Sequence, residues 1–169
     1  MSDITLDNAT KQPFLHLLRS LVQTYHAFSR YDTIGHKKHG LTPSQADVIF
    51  TLGNTCGLTF KEIGELTLIT KGTLTGVVER LQEKGLVKRE QHFNDRRSSI
   101  VSLSNAGDSL FKEAFPSHIA YVKKAFDGLS EVEQQQTVAL LNKLSNQFDI
   151  QADKCESDAP VKTNNTAFG

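Results

Sequence analysis

Cysteine, tryptophan and proline are scarce in this sequence. It contains two cysteines, no tryptophan, one methionine and four prolines among 169 residues. Two cysteines are too few for a disulfide framework or a zinc finger. No apolar run reaches the ~18 residues that a transmembrane helix needs, and no basic segment leads into an apolar one near the start. We therefore expect one compact cytoplasmic protein without a membrane partner.

The charges balance overall but not locally. Lys plus Arg and Asp plus Glu both number 19, and a formal charge of zero disfavours a nucleic-acid partner. Residues 59–97, however, carry eight basic and six acidic side chains, whereas residues 98–169 carry six and nine. Four of the basic groups are close together: Lys88, Arg89, Arg96 and Arg97. An anion is expected to bind near this short segment.

The first half of the sequence predicts three helices. Apolar residues recur at helical spacing from Phe14 to Phe28, with Gly35 as the expected stop, after a disordered N-terminus over residues 1–10. Beyond a polar link over residues 36–40, two capping boxes mark the next helix starts: Thr42 with Gln45, and Thr59 with Glu62. The second helix would bury Val48, Ile49 and Leu52, and the third would bury Phe60, Ile63 and Leu66.

A fourth helix and a hairpin follow. Thr70 can cap a helix that ends at Gly85 and buries Leu74, Val77, Val78 and Leu81. Runs suited to β-strands, residues 86–90 and 100–103, bracket a polar tip over residues 92–97. Two short helices followed by a hairpin with a basic tip predict a winged helix-turn-helix in a mainly α (α+β) fold.

The last part of the sequence predicts two long helices. One begins at Ser104, and Pro116 inside it predicts a kink or a break. Ser130 and Glu133 form a third capping box, which opens a final helix through Phe148. Residues 150–169 lack periodicity and are expected to be disordered. We therefore predict a DNA-binding domain over residues 41–103 and a helical dimerisation region over residues 11–40 and 104–149, because its apolar stripes exceed what one small domain can cover.

The helix that starts at Thr70 has the chemistry of a DNA-reading helix. Its outward face carries Gly72, Thr75 and Gly76, with Thr73 and Arg80 at the flank. A glycine inside a helix costs about 0.8–1.0 kcal/mol relative to alanine, so the two glycines suggest close approach of the backbone to DNA. Lys71 would add positive charge near the helix N-terminus, which already favours phosphate.

Residues 95–107, Asp-Arg-Arg-Ser-Ser-Ile-Val-Ser-Leu-Ser-Asn-Ala-Gly, resemble the D-x-R-(x)5-L-[ST]-x-x-G signature of the MarR family of bacterial transcription regulators. Residues 41–45, 70–75 and 81–89 are similar to the same family in order and spacing. The resemblance implies a homodimeric regulator, most often a repressor, on pseudo-palindromic double-stranded DNA. It also implies that Arg97 enters the minor groove, that Asp95 holds its guanidinium, and that Arg96 lies near phosphate.

Twelve residues are predicted from the pattern and the resemblance to form the DNA interface. They are Thr70, Lys71, Gly72, Thr73, Thr75, Gly76, Arg80, Lys88, Arg89, Asp95, Arg96 and Arg97.

The resemblance also implies control of DNA binding. In the family, a small aromatic acid between the dimer helices and the winged domain, or oxidation of a cysteine, releases DNA. His16, Arg19 and Phe50 are the candidates for lining such a pocket. The peroxide-sensing branch has a cysteine near the start of the first helix, where this sequence has residues 14–16, Phe-Leu-His. We interpret Cys56 as a small half-buried residue and Cys155 as part of the tail.

Catalysis, cofactors and metal binding find little support in the sequence. His36, His39 and His118 give no tetrahedral ligand set, so no metal site is predicted. No nucleophile elbow, P-loop or paired catalytic carboxylates appear, and no enzyme or cofactor is expected. Two alternatives to the ligand-controlled regulator stay open: a winged-helix protein-interaction module, and a regulator that responds to redox state or metal.

Overall fold

The computed structural model describes residues 4–67, 69–91 and 99–157. The helices are α1 (Leu6–Ala9), α2 (Phe14–Lys37), α3 (Pro43–Leu52), α4 (Phe60–Leu66), α5 (Lys71–Glu83), α6 (Asn105–Phe126) and α7 (Glu131–Ser157). The strands are β1 (Leu58–Thr59), β2 (Val87–Gln91) and β3 (Ser99–Leu103). The predicted fold class, mainly α with a winged helix-turn-helix, is confirmed.

The chain divides into two compact units, Met1–Lys123 and Lys124–Gly169. The first unit holds the winged helix-turn-helix together with α2 and most of α6. The second is dominated by α7, which starts at the predicted capping box: the Ser130 backbone N–H donates to Glu133 Oε2 at 2.8 Å, and the Glu133 N–H donates to Ser130 Oγ at 3.3 Å. Its apolar side chains are exposed within the described chain, Val138 and Leu140 among them.

The two other predicted capping boxes also form. At α3, the Gln45 N–H donates to Thr42 Oγ1 at 3.3 Å while the Thr42 N–H donates to Gln45 Oε1 at 3.2 Å. At α4, the Thr59 N–H donates to Glu62 Oε2 at 2.7 Å. These local bonds satisfy N–H groups that have no partner inside the helix, so they fix where α3 and α4 begin.

The core of the first unit lies between α3, α4, α5 and the sheet. Its members are buried apolar residues, which include Val48, Ile49, Leu52, Ile63, Leu74, Val77, Val78, Leu81, Val87, Val101 and Phe111. The inner faces predicted for the second and fourth helices are confirmed. Leu66 is the exception: it was expected to be buried, but it is 65% exposed.

The sheet has three strands, one more than the sequence predicted. β3 lies in the centre, antiparallel to β2 on one side and to β1 on the other. Leu58 pairs with Val101 and Thr59 with Ile100. β1 contains only two residues, too few for any alternation to reveal it, and it forms because β3 offers an open edge.

Helix boundaries differ from the prediction in three places, and at Pro116 the break, one of the two predicted alternatives, does not occur. α2 continues through Gly35 to Lys37, and α6 continues through Pro116 without a break. The short helix α1 lies inside the segment of residues 1–10 that was expected to be disordered. α7 extends to Ser157, so residues 150–157 of the expected disordered tail are helical. Helical packing and hydrogen bonding override the single-residue stop signals here.

Gly35 is needed where α2 crosses α6. A Cβ atom at this position would lie 2.8 Å from Cδ1 of Tyr121 and 3.0 Å from Nδ1 of His118. The Tyr121 ring also stacks on Tyr31, with centroids 4.3 Å apart, and each hydroxyl donates to the backbone oxygen of the other residue at 2.8 and 3.2 Å. The missing side chain thus lets the two helices approach closely enough for this reciprocal pair.

One turn along the same crossing, Asp32 joins two buried histidines. Its Oδ2 lies 3.1 Å from Nε2 of His36, and its Oδ1 lies 3.1 Å from Nε2 of His118. The two imidazole rings stack with centroids 3.9 Å apart and planes 16° apart. Both Nδ1 atoms are buried without a hydrogen-bond partner among the described residues. We call these three residues the histidine cluster.

Burial lowers the pKa of His36 below its ordinary value of 6.5. The Asp32 carboxylate opposes this shift, whereas His118 and His39 add to it. The effect of desolvation is the largest because protonation would place a charge on a ring that is almost fully buried. His36 is therefore held as a neutral ring that donates its Nε2–H to Asp32.

The first prediction concerns the helix crossing. Gly35→Ala should lower the free energy of unfolding by about 1–3 kcal/mol, because the new methyl group overlaps the Tyr121 ring. Gly76→Ala is the matched control, since no atom lies within 4 Å of a Cβ there and a helix-interior alanine should gain up to about 1 kcal/mol. Urea denaturation measures both. Equal stability of the two variants would contradict the close approach.

The second prediction concerns pH. Because the unfolded chain binds a proton at His36 more readily than the folded chain, stability should be full above about pH 6.5 and decline as the pH falls below it. Melting curves between pH 7.5 and 5.5 should show this decline in the wild type and a weaker decline in His36→Gln. The exposed residue of the same helix, His26→Gln, is the control and should follow the wild type. A His36→Gln profile identical to the wild type would contradict the prediction.

Candidate nucleic-acid interface and effector cavity

The outward face of α5 is exposed and carries small side chains. Gly72, Thr73 and Thr75 are exposed, and Arg80 is exposed two turns further along. A Cβ added at Gly72 or Gly76 would meet nothing within 4 Å, so neither glycine is required by packing inside the described chain. Both glycines nevertheless sit in a helix, where they carry a conformational cost. An external surface that must come close to the backbone would account for them.

The N-terminus of α5 starts differently from those of α3 and α4. Thr70 is the N-cap residue, as predicted, but its side chain makes no capping bond. Its hydroxyl lies instead 3.0 Å from the hydroxyl of Thr73, and both residues are exposed. The first turn of α5 therefore presents two hydroxyls beside the positive end of the helix dipole. Such an arrangement can receive phosphate oxygens.

Strand β2 supplies positive charge beside α5. Lys88 and Arg89 are both exposed, and the Arg89 guanidinium carbon lies 5.1 Å from the centroid of the Phe60 ring. This cation–π contact holds Arg89 against α4, at the edge of a groove of about 730 Å³ that Thr75 and Lys61 also line. Asp95, Arg96 and Arg97, the predicted tip of the wing, lie outside the described residues, as does the side chain of Lys71.

Two polar junctions hold α5 and the hairpin in place. At the end of α5, Lys84 Nζ donates to the Gly40 carbonyl at 2.9 Å and to Gln45 Oε1 at 3.2 Å, which ties α5 to the start of α3. At the end of the hairpin, the Ser104 hydroxyl donates to the Gly85 carbonyl at 2.6 Å and accepts from the Gly107 N–H at 3.0 Å. Surface groups on α5 and β2 therefore keep a fixed spacing.

A cavity of about 490 Å³ opens beside the histidine cluster. Its wall includes three aromatic rings, those of Tyr25, Phe28 and Phe50, and the carboxylates of Asp32 and Asp47. Leu66 also lines it, which explains why that side chain points away from the core. We call this space, which is lined by α2, α3, the end of α4 and His118 of α6, the effector cavity. Its volume lies within the roughly 300–1,000 Å³ usual for small-molecule sites.

One of the three predicted pocket residues lines this cavity. Phe50 does so, but His16 and Arg19 do not, and both are exposed. The reason is distance along α2: the cavity begins at Tyr25, about 14 Å beyond His16 at 1.5 Å per helical residue. Nothing in the sequence pointed to Asp32 as a cavity residue, because one of its two partners, His118, lies far away in the sequence.

The histidine cluster also contains the donor types of a metal site. One ligand atom from each of Asp32, His36 and His118 lies within 4.8 Å of the others. The sequence paired His36 with His39 and predicted no site, whereas the fold pairs His36 with His118. The two stacked imidazole rings each place Nε2 3.1 Å from a different oxygen of the Asp32 carboxylate, so the observed contacts are hydrogen bonds.

Two further features bear on the predictions. Cys56 and Cys155 are both free and exposed, so the interpretation of Cys56 as half-buried is wrong. In the described part of the chain, no helix combines the length and the apolar character needed to cross a membrane.

Comparisons with known proteins agree with this geometry. A sequence model of the MarR family matches residues 39–98. The HTH-type transcriptional regulator YkoM of Bacillus subtilis is 30% identical over 129 residues, which cover 76% of this chain and 84% of YkoM.

Solved structures show the same fold. BpsR of Bordetella bronchiseptica, whose DNA binding is regulated by 6-hydroxynicotinic acid, is 26% identical with a TM-score of 0.69, over 85% of this chain and 98% of BpsR. MepR of S. aureus, solved with DNA, is 21% identical with a TM-score of 0.68, over 80% of this chain and 98% of MepR. These relatives are regulators and not enzymes. With its winged helix-turn-helix and its similarity to YkoM, the chain belongs to the MarR family of DNA-binding transcriptional regulators.

Proposed function

We propose that this protein is a cytoplasmic repressor that binds pseudo-palindromic operator DNA as a homodimer and is released by a small aromatic ligand. The observation that carries the proposal is the outward face of α5, where open glycines and exposed hydroxyls lie beside the basic strand β2. The first turns of α5 would enter the major groove, and Lys88 and Arg89 would approach phosphates. Asp95, Arg96 and Arg97 would form the wing tip, with Arg97 in the minor groove.

A second copy of the chain is the proposed partner because apolar side chains form a continuous exposed stripe along α2. The stripe recurs at helical spacing and is 45–61% exposed. Its members are Phe14, Leu17, Leu18, Val22, Tyr25 and Phe28. Exposed apolar patches of this length on a globular protein mark an interface. A two-fold dimer would also present two copies of α5 to two half-sites of an operator.

Ligand control is proposed for the effector cavity. The cavity adjoins α2, which carries the proposed dimer stripe, and α3, which packs in the core beside α5. A ligand bound there would contact both the dimerisation helices and the winged domain. It could therefore bias their relative arrangement, which is how binding at one site changes affinity at another. The regulation of BpsR by an aromatic acid is a precedent for such control.

The third prediction tests α5. Gly76→Leu should reduce affinity for operator DNA by at least a hundredfold, because the new side chain would hold the helix away from the groove, while circular dichroism shows an intact fold. Thr75→Ala should cost roughly 1–3 kcal/mol on the operator if its hydroxyl contacts a base, and little on scrambled DNA. Gln82→Leu, exposed in the last turn of the same helix, is the control and should bind like the wild type.

The operator would come from selection of fragments of the organism's own genome, and fluorescence anisotropy would measure the affinities. If Gly76→Leu binds DNA like the wild type, α5 does not enter the groove. If no fragment is selected at all, the winged helix acts on a protein partner instead.

The fourth prediction tests the dimer. Leu18→Glu should produce monomers at micromolar concentration, because it places a charge in the apolar stripe of α2. Gln23→Glu introduces the same residue on the opposite, exposed face of this helix and should remain dimeric. Analytical ultracentrifugation distinguishes the two. A wild-type protein that sediments as a monomer would contradict the proposed dimer.

A further inference from the structure

The charge in the wall of the effector cavity favours a cationic ligand over an anionic one. The carboxylate of Asp32 lies in its wall, and among the side chains that the structure describes no Lys or Arg contributes to that wall. A ligand that carries a carboxylate would therefore be brought toward negative charge.

Asp32 is the centre of this negative charge. Its side chain is 16% exposed, and in the described ranges its ion-pair partners are the two histidines and no Lys or Arg. Because burial lowers the pKa of His36, that ring is a neutral hydrogen-bond donor and does not cancel the charge of the carboxylate. The Nε2 atoms of His36 and His118, each 3.1 Å from a different carboxylate oxygen, orient Asp32 at the cavity wall.

The remaining wall suits a flat ring with a positive group. Tyr25 and Phe28 lie one turn apart on α2, and Phe50 faces the cluster from α3, with its ring centroid 5.8 Å from that of His36 and 5.6 Å from that of His118. Aromatic faces attract cations, and more strongly where water is excluded. The cavity volume of about 490 Å³ accommodates a one- or two-ring compound.

We propose that the effector cavity binds an aromatic cation, an amine or amidine attached to a ring, with its positive group against Asp32 and its ring among Tyr25, Phe28 and Phe50. This inference specifies the class of ligand that binds the regulatory site, so it rests on the proposed function. The effector would then differ in charge from 6-hydroxynicotinic acid, the acid named for BpsR.

The fifth prediction uses two probes of nearly the same shape and opposite charge, benzamidinium and benzoate. Isothermal titration calorimetry on the full chain without DNA, at about pH 7.5, should show benzamidinium binding at least about tenfold more tightly than benzoate, since each tenfold corresponds to 1.4 kcal/mol. Asp32→Asn should weaken benzamidinium at least about tenfold and reduce the discrimination between the probes. Asp108→Asn, an exposed carboxylate paired with Lys112 on α6, should behave like the wild type.

A second variant covers the case in which Asp32→Asn disturbs the histidine cluster and fails to fold. Tyr25→Leu lies outside the cluster and keeps an apolar side chain in the stripe of α2, so the fold and the proposed dimer should persist. It should weaken benzamidinium roughly threefold to fivefold through loss of the aromatic face, and leave benzoate unchanged.

Three results would overturn the proposal: benzoate binding as tightly as benzamidinium, no benzamidinium binding at millimolar concentration, or equal benzamidinium affinity in Asp32→Asn and the wild type. Operator DNA is then added as a separate measurement. If benzamidinium binds in an Asp32-dependent way but leaves operator affinity unchanged, the cation site stands and the proposed ligand control of DNA binding fails.

Discussion

The close crossing of α2 and α6 is the constraint on which the arrangement of the first unit depends. Gly35 removes the side chain that would keep the helices apart, and the Tyr31 and Tyr121 rings then exchange hydroxyl bonds across the gap. One turn away, Asp32 bridges two histidines from opposite helices. A helix pair held by apolar contacts alone could slide, whereas these directional bonds allow one register.

The register of α2 against α6 also determines which side chains line the effector cavity. α2 contributes Asp32 and the aromatic residues Tyr25 and Phe28, and α6 contributes His118. If α2 moved by one turn against α6, the Asp32 carboxylate would lose its contact with at least one histidine. It would then no longer be held in one orientation toward the cavity. The same contacts that hold α2 against α6 thus also orient the Asp32 carboxylate at the cavity wall.

Local signals in the sequence predicted local structure well. The capping boxes at Thr42, Thr59 and Ser130 form because each needs only residues three positions apart. The inner face of α5 followed from the 3.6-residue period for the same reason. The outward glycines of α5 could also be recognised from the sequence as candidates for an external contact, because glycine destabilises the interior of a helix.

Features that depend on distant parts of the chain could not be predicted in this way. The whole winged domain separates Asp32 from His118 in the sequence, and His36 looked like part of a polar link. Gly35 resembled a helix stop because the sequence does not reveal that Tyr121 packs against it.

The junction at Ser104 has a further mechanical consequence. Since its hydroxyl bonds both Gly85 and Gly107, and the Ser104 N–H bonds the Leu86 carbonyl, no slack separates the hairpin from α6. The base of the hairpin is therefore bonded directly to the first turn of α6, so any change in the direction of α6 would strain these three hydrogen bonds unless the base of the hairpin followed it.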